Sequence, residues 1–414
     1  MEYNALPNGF YPQLRAMPPR VFKAGEQQIK KALRSNDCGV DDFQALLAPQ
    51  AQAVLEDMAR QAHNLTLRYF GRSVQVFAPL YLANICTNSC LYCGFHAGQK
   101  IARLKLDDEQ IEQEAKAMAA MGLRSVLLLT GDAPHQTGAD YIARAAAIVA
   151  RHVPAIGIEV QALTTDEYAM AARAGVQSMT MFQETYNQEL YAHLHPAGPK
   201  RNFTFRLDAP QRAAMAGMRS LTLGALLGLG DWRRDIFCLA MHACFLNKAY
   251  PHLEIAFSLP RIRPRSDDRE EIEKYAQAAP LSANGFDFSP QPVSDADFVQ
   301  ALLALRCFLP HAGITISSRE PAFLRDRLLP LGVTKVSAGV RTMVGGYVAA
   351  LKHDKKEGSP VQFVIDDTRS VEDMCAAIRS QGYQPVMADW LLPAGGDLKL
   401  SQAINQSLGC GAGL

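Results

Sequence analysis

The sequence predicts an α/β fold: a complete (β/α)8 barrel with a helical N-terminal extension and a C-terminal cap. Three observations carry this expectation. Eight short apolar runs rich in β-branched residues cover 74–82, 125–130, 156–161, 178–182, 220–226, 253–258, 314–317 and 335–338. Between them lie longer segments of helical period, among them 107–121, 139–151, 166–174, 233–249, 295–309 and 320–331. Gly122, Gly175, Gly217 and Gly332 stand just past helical segments, where a left-handed cap is wanted. Strand–helix alternation implies right-handed crossovers and a parallel sheet. Eight runs fit a closed barrel, whose active site lies at the C-terminal strand ends. An open doubly wound sheet is the alternative that pattern alone leaves standing. Residues 1–73 read as the helical extension, 74–340 as the barrel and 341–414 as a polar, glycine-containing cap over the barrel mouth.

Composition narrows the function classes. The 414 residues are 48% hydrophobic and 20% charged, the balance of a globular protein with a large core. A net charge of +1 gives no bulk attraction to nucleic acid or an anionic membrane, and neither is expected as a partner. The N-terminus lacks a basic flank followed by an apolar stretch, and no apolar run approaches a membrane span. Of the nine cysteines three cluster within eight residues, and the rest are scattered singly. This pattern points to metal binding in a reducing, cytoplasmic setting.

The cluster is Cys86, Cys90 and Cys93, immediately after the first predicted strand. Thiolates are soft ligands for iron–sulfur clusters or zinc, and one loop can wrap several corners of a metal site. Three ligands leave one iron of a four-iron cube open to chelate a substrate. A structural zinc knuckle is the plain alternative, but such sites close with four ligands, and His96 falls outside the usual pair spacing.

This spacing, with aromatic Tyr92 before the third cysteine, resembles the radical S-adenosylmethionine (SAM) superfamily. Further motifs narrow the resemblance: Pro79-Leu-Tyr81-Leu, Cys93-Gly-Phe95, Leu129-Thr-Gly131, Glu159-Val-Gln161, Gln183-Glu-Thr-Tyr186 and Arg206-Leu-Asp. They continue through Leu259-Pro-Arg261-Ile-Arg263-Pro264, Ser317-Ser-Arg319-Glu320, Gly345-Gly-Tyr347 and Asp389-Trp390. Together they resemble the 2-iminoacetate synthases, the tyrosine lyases of thiazole and thiamine biosynthesis.

The resemblance implies a radical SAM barrel with one 4Fe–4S cluster and SAM as cofactors. It implies cleavage of the Cα–Cβ bond of L-tyrosine to 2-iminoacetate and p-cresol, with 5′-deoxyadenosine and methionine. A flavodoxin- or ferredoxin-type reductant and a thiazole synthase are the implied partners. Tyr92 is expected beside the adenine, and Thr130, Gly131 and Asp132 at the methionine amino group, where glycine permits close approach. Glu159 and Gln161 share a face by period-two geometry and are expected at the ribose hydroxyls. Arg206 is expected to pair the methionine carboxylate with its planar fork, and its alternative is an exposed helix-start residue. Ser317 and Arg319 are expected to fix the tyrosine carboxylate. Gln183, Glu184 and Tyr186 after the fourth strand, and Arg261 and Arg263 after the sixth, are further candidates at the mouth. Packing and surface-turn roles compete for each.

Three alternatives compete with this reading. The hydrogenase-maturation tyrosine lyase carries a second cluster on clustered C-terminal cysteines, whereas the last hundred residues here hold only Cys375 and Cys410. A tryptophan lyase is the second, and Cys93-Gly-Phe95 leans toward tyrosine instead. A plain electron carrier would use four cysteines and need no barrel.

Overall fold

The computed structural model describes residues 6, 8–18, 20–35, 37–262, 293–351 and 362–388. Eight parallel strands close on themselves: β1 (Ser73–Ala83), β2 (Ser125–Thr130), β3 (Ala155–Glu159), β4 (Ser178–Glu184), β5 (Ser220–Ala225), β6 (Glu254–Ser258), β7 (Gly313–Ile316) and β8 (Lys335–Ser337). Each pairs with the next, and β1 pairs with both β2 and β8, which closes the ring. The expected barrel is therefore present, and the open-sheet alternative is excluded.

The helices between the strands start and stop where their sequences dictate. Asp107, Thr164 and Ser294 cap helices Asp108–Ala120, Thr165–Arg173 and Asp295–Phe308 by accepting from the backbone N–H three residues on. Gly122 and Gly175 follow two helix ends with φ of 81° and 101°, conformations that a side chain would strain.

The N-terminal extension is helical and packs on the outer helices. Phe43 stacks on Phe308 at 4.4 Å, and Gln300 Nε2 donates to the Leu46 and Ala48 carbonyls. One contiguous apolar core runs from Phe10 in the extension through the barrel to Tyr383. The described parts of the three expected segments thus share one core.

The C-terminal segment does more than cap. Residues 362–369 cross the barrel mouth, where the N–H groups of Asp366 and Asp367 donate to the Ser318 carbonyl. Helix Val371–Ser380 then leads to a ninth strand, β9 (Gln384–Val386), which pairs in parallel with Ser73–Gln75. Those residues precede Ala78, where the pairing of β1 with β2 begins, so β9 lies at the end of the barrel opposite the mouth. Among the described residues no helix is long and apolar enough to cross a membrane.

Candidate active site

The loop after β1 carries the three cysteines and is pinned from several sides. The Thr87 N–H donates to the Asp132 carbonyl at 2.8 Å, and Asn88 Nδ2 donates to the Asp132 carboxylate at 2.7 Å. Arg103 clamps the far side by donating to the carbonyls of Asn84, Phe95, His96 and Gln99. At Gly131 a Cβ would lie 2.3 Å from the Ile85 carbonyl oxygen, so only glycine lets the end of β2 meet this loop.

Two cavities share the barrel mouth. The upper one, about 920 Å³, is lined by Cys86, Cys90 and Cys93 and by Tyr92, Thr130, Gly131, Asp132, Glu159, Glu184, Lys200 and Arg319. The other, about 1200 Å³, runs down the barrel axis. Barrels of this kind are ordinarily filled by branched side chains. Here Gly157, Ser178, Thr180, Ser220, Thr222 and Ser337 face inward and leave the interior open. Tyr81, Glu159, Phe182, Arg319, Gln362 and Phe363 line both spaces and form their common boundary.

Burial sets the electrostatics. It pushes the Cys86 thiol up to about 11 and the Cys90 thiol to about 12, and it raises Cys93 as well. Bare thiolates are disfavoured here, and a cationic metal core would supply the missing compensation. Burial also pushes Glu159 up to about 7, against the pull of Arg319. Burial lowers the pKa of Arg319, whose guanidinium lies 3.4 Å from the Phe363 ring centroid. Among the described residues no carboxylate lies within salt-bridge distance of Arg319, although the charges of Glu159 and Glu184 act on it, and the half-buried side chain lines both cavities. The Ser317 hydroxyl accepts from the Arg319 N–H at 3.4 Å, and Ser317 lines the axial cavity.

Tyr92 is fixed by a histidine. His195 Nδ1 lies 2.7 Å from the Tyr191 carbonyl, which can only accept, so Nδ1 carries the proton. Burial holds the ring neutral, with a pKa pushed down to about 2. Nε2 then accepts from the Tyr92 hydroxyl at 2.7 Å.

Several expected residues sit elsewhere. Gln161 lies beyond the end of β3, where its Oε1 accepts from the Ala133 N–H and its Nε2 donates to the Thr137 carbonyl. It braces the loop after β2 and lines a smaller neighbouring pocket with Asp132, Lys200 and Arg206, not the cavity of Glu159. On β4 alternation turns Thr180, Phe182 and Glu184 inward, so Gln183 faces the opposite way and lines neither cavity. Tyr186 is likewise turned outward, its hydroxyl on His242 Nδ1 at 3.1 Å and its N–H on Asp235. Arg261 is spent on Glu320 and Asp295 and lines neither cavity, although its neighbours Pro260 and Ile262 do. Arg263 lies outside the described residues. Arg206 lies in the short helix Phe203–Leu207, just before helix Ala209–Met215, and is buried, which removes its exposed alternative. Its Nε donates to the Phe182 carbonyl, and its NH2 lies 3.7 Å from Glu184.

Sequence reasoning missed Lys200, a nearly buried cation paired with Glu184 and 5.5 Å from the Tyr92 ring centroid. It missed Gln362 and Phe363 too, which no local pattern connects with the cysteine loop.

Comparison with known proteins bears on this site directly. Residues 80–240 match the Radical SAM superfamily, and residues 258–384 match the Biotin and Thiamin Synthesis associated domain. The 2-iminoacetate synthase of Escherichia coli (strain K12) is 36% identical over 87% of this chain and 90% of that protein. The chain belongs to the 2-iminoacetate synthase family. It is therefore a radical SAM enzyme that uses a 4Fe–4S cluster. The FeFe-hydrogenase maturase HydG from Carboxydothermus hydrogenoformans superposes with a TM-score of 0.75 at 30% identity, covering 88% of this chain and 79% of that one. A further HydG crystal structure gives 0.77 at 26% identity, over 96% of this chain and 82% of the other. The clustered C-terminal cysteines expected of a hydrogenase-maturation lyase are not found here, since Cys375 is buried singly in helix Val371–Ser380.

The residues present fit the cofactors of the 2-iminoacetate synthases. Three cysteines of one loop face a common cavity larger than the voids that close-packed interiors leave. The Thr130 hydroxyl in its wall is buried with no partner, as a polar cosubstrate would require.

Proposed function

We propose that the boundary between the two cavities is where L-tyrosine is held and its Cα–Cβ bond cleaved to 2-iminoacetate and p-cresol. When bound, the cluster and SAM supply one electron and a 5′-deoxyadenosyl radical. The chain's own residues then decide which hydrogen that radical meets. Cys86, Cys90 and Cys93 hold three corners of the cluster. Thr130, Gly131 and Asp132 offer the amino group of SAM a carbonyl-rich edge beside the cysteine loop. Arg206, held by the Phe182 carbonyl and near Glu184, is the guanidinium for the carboxylate, and Tyr92, locked by His195, offers a fixed ring to the adenine. Glu159 provides a polar contact at the junction. Tyrosine places its carboxylate on Arg319 and Ser317 and its side chain toward the axial cavity.

The observation that carries this reading is the state of Arg319. A half-buried guanidinium with no carboxylate at salt-bridge distance among the described residues can take a substrate carboxylate in a two-pronged hydrogen bond. It faces the same space as the cysteines. A primary radical abstracts whatever hydrogen lies nearest, so anchoring the substrate also selects the reaction.

The product 2-iminoacetate hydrolyses readily, which favours direct delivery to a thiazole synthase partner. A flavodoxin- or ferredoxin-type protein is the proposed electron donor. The eight described cysteines are all unpaired, which supports a reducing cytoplasmic setting. Anaerobic reconstitution with iron, sulfide, reductant, SAM and tyrosine, followed by product analysis, tests the reading. p-Cresol from tyrosine is expected. A 3-methylindole-type product from tryptophan, with no p-cresol from tyrosine, would overturn it.

A further inference from the structure

Two consecutive residues of the strap across the mouth touch both halves of the site. Tyr81 at the boundary donates its hydroxyl to Gln362 Oε1 at 2.9 Å. An amide whose oxygen is so engaged presents its NH2 to the other side, and there Gln362 Nε2 lies 4.0 Å from Cys93 Sγ. That distance is the outer range of an amide–sulfur contact. The backbone secures the approach, because the Gly94 N–H donates to the Gln362 carbonyl at 3.3 Å. Among the described residues the other donor near this sulfur is the Phe95 N–H at 3.4 Å, which belongs to the cysteine loop itself. The next residue, Phe363, carries the Arg319 guanidinium on its ring at 3.4 Å.

We propose that Gln362 is a positioning residue for the cluster: its amide donates to the Cys93 sulfur and sets the reduction potential, and Phe363 links it to the substrate cation Arg319. Hydrogen bonds to cluster sulfurs stabilise the more negative, reduced state and move the potential upward. A carboxylate on Arg319 draws the guanidinium toward substrate, and the Phe363 ring stacked on it moves with it. The displacement reaches Gln362 through one peptide bond. Substrate occupancy is thereby felt at the cluster, so that electrons enter most readily when tyrosine is in place. The linkage rests on the assignment of Arg319 to the tyrosine carboxylate, whereas the direct effect of Gln362 on the cluster does not.

The test is a mediated redox titration of the full, reconstituted chain, followed by electron paramagnetic resonance without SAM and repeated with saturating L-tyrosine. Gln362→Leu removes donor and acceptor together. Gln362→Glu keeps the acceptor for Tyr81 and removes the donor. Tyr81→Phe leaves every group on Cys93 in place and frees only the amide. Iron content is expected to stay unchanged, with the midpoint more negative in both Gln362 variants and less displaced in Tyr81→Phe. Tyrosine should raise the midpoint of the unmodified protein and leave that of Gln362→Leu where it was. Unchanged midpoints in all three variants would overturn the proposal. Equilibrium binding of tyrosine to the same preparations separates the two readings. Tyrosine that binds without moving the midpoint of the unmodified protein sinks the linkage alone, and tyrosine that fails to bind sinks the assignment beneath it.

Discussion

Lys200 Nζ lies 2.5 Å from Glu184 Oε1 in the wall of the cluster cavity, with both side chains about nine-tenths buried. Burial and Arg206 oppose the lysine's charge, and Glu184, Cys90 and Tyr191 outweigh them, so its pKa stands above the ordinary range. The pair also fixes a strained residue. Glu184 ends β4 at φ 70°, in the left-handed region that non-glycine residues avoid, at the point where the strand's register slips against β5. That turn aims its carboxylate at Lys200.

Lys200→Met should therefore destabilise the protein, because it strands the Glu184 charge. Losing one partner of a buried pair costs on the order of 3–5 kcal/mol. Arg206 at 3.7 Å softens the loss toward the lower figure. Adding Glu184→Gln should recover most of it. Denaturant unfolding of the single and double variants checks this, and a Lys200→Met protein of full stability would contradict it.

Asp235 makes a pH prediction. Burial raises its carboxyl to about 7, although the Tyr186 N–H and the Thr185 hydroxyl both donate to it. Between its ordinary value of 3.8 and 7, the folded chain keeps a proton that the unfolded chain has released. Its stabilising contribution is thus complete below the unfolded value and lost as pH rises through 7. Asp235→Asn keeps an acceptor for both donors and cannot ionise. It should match the parent near pH 4 and exceed it at pH 8 by on the order of 2–4 kcal/mol. Unfolding curves at the two pH values decide, and equal stability at pH 8 would count against a buried neutral carboxyl.

The eight barrel strands were legible because each is an apolar, β-branched run bounded by helix caps, and their observed ends differ from expectation by at most two residues. β9 was not, because Gln384-Pro-Val386 is short and contains a proline. Side-chain direction was less legible than strand position. The period-two argument joined Gln161 to Glu159, but β3 ends at Glu159 and the chain turns. Period two, applied to β4, would have turned Gln183 away from Glu184. Lys200 and Gln362 lie 107 and 269 residues from Cys93, and only the tertiary fold brings them to it. Arg261 carried no mark in the sequence that Glu320 would claim it.

The cysteine assignment predicts metal content. The reconstituted chain should hold about four iron and four sulfide ions, as one cube requires. Cys86→Ala, Cys90→Ala and Cys93→Ala should each abolish the cluster's visible absorption. Cys38→Ala and Cys307→Ala should retain it, because Cys38 and Cys307 line neither cavity at the barrel mouth. Cys410, outside the described residues, is expected to be equally dispensable. About eight of each ion per chain would mean a second cluster, and loss of absorption in Cys410→Ala would mean that the tail takes part in holding the one cluster.

The most direct test of the account is the ratio of p-cresol to 5′-deoxyadenosine formed from tyrosine by Arg319→Lys. Lysine keeps the charge but lacks the paired donors, so the substrate should tilt more than it should dissociate. A tilt carries the target hydrogen away from the radical, and misplacement by an ångström can cost on the order of a hundredfold in rate. The variant should still cleave SAM to 5′-deoxyadenosine while p-cresol falls far below it, with both products measured in one anaerobic assay. An Arg319→Lys enzyme that still makes one p-cresol for each 5′-deoxyadenosine, as tightly as the parent, would place the carboxylate clamp elsewhere and contradict the account.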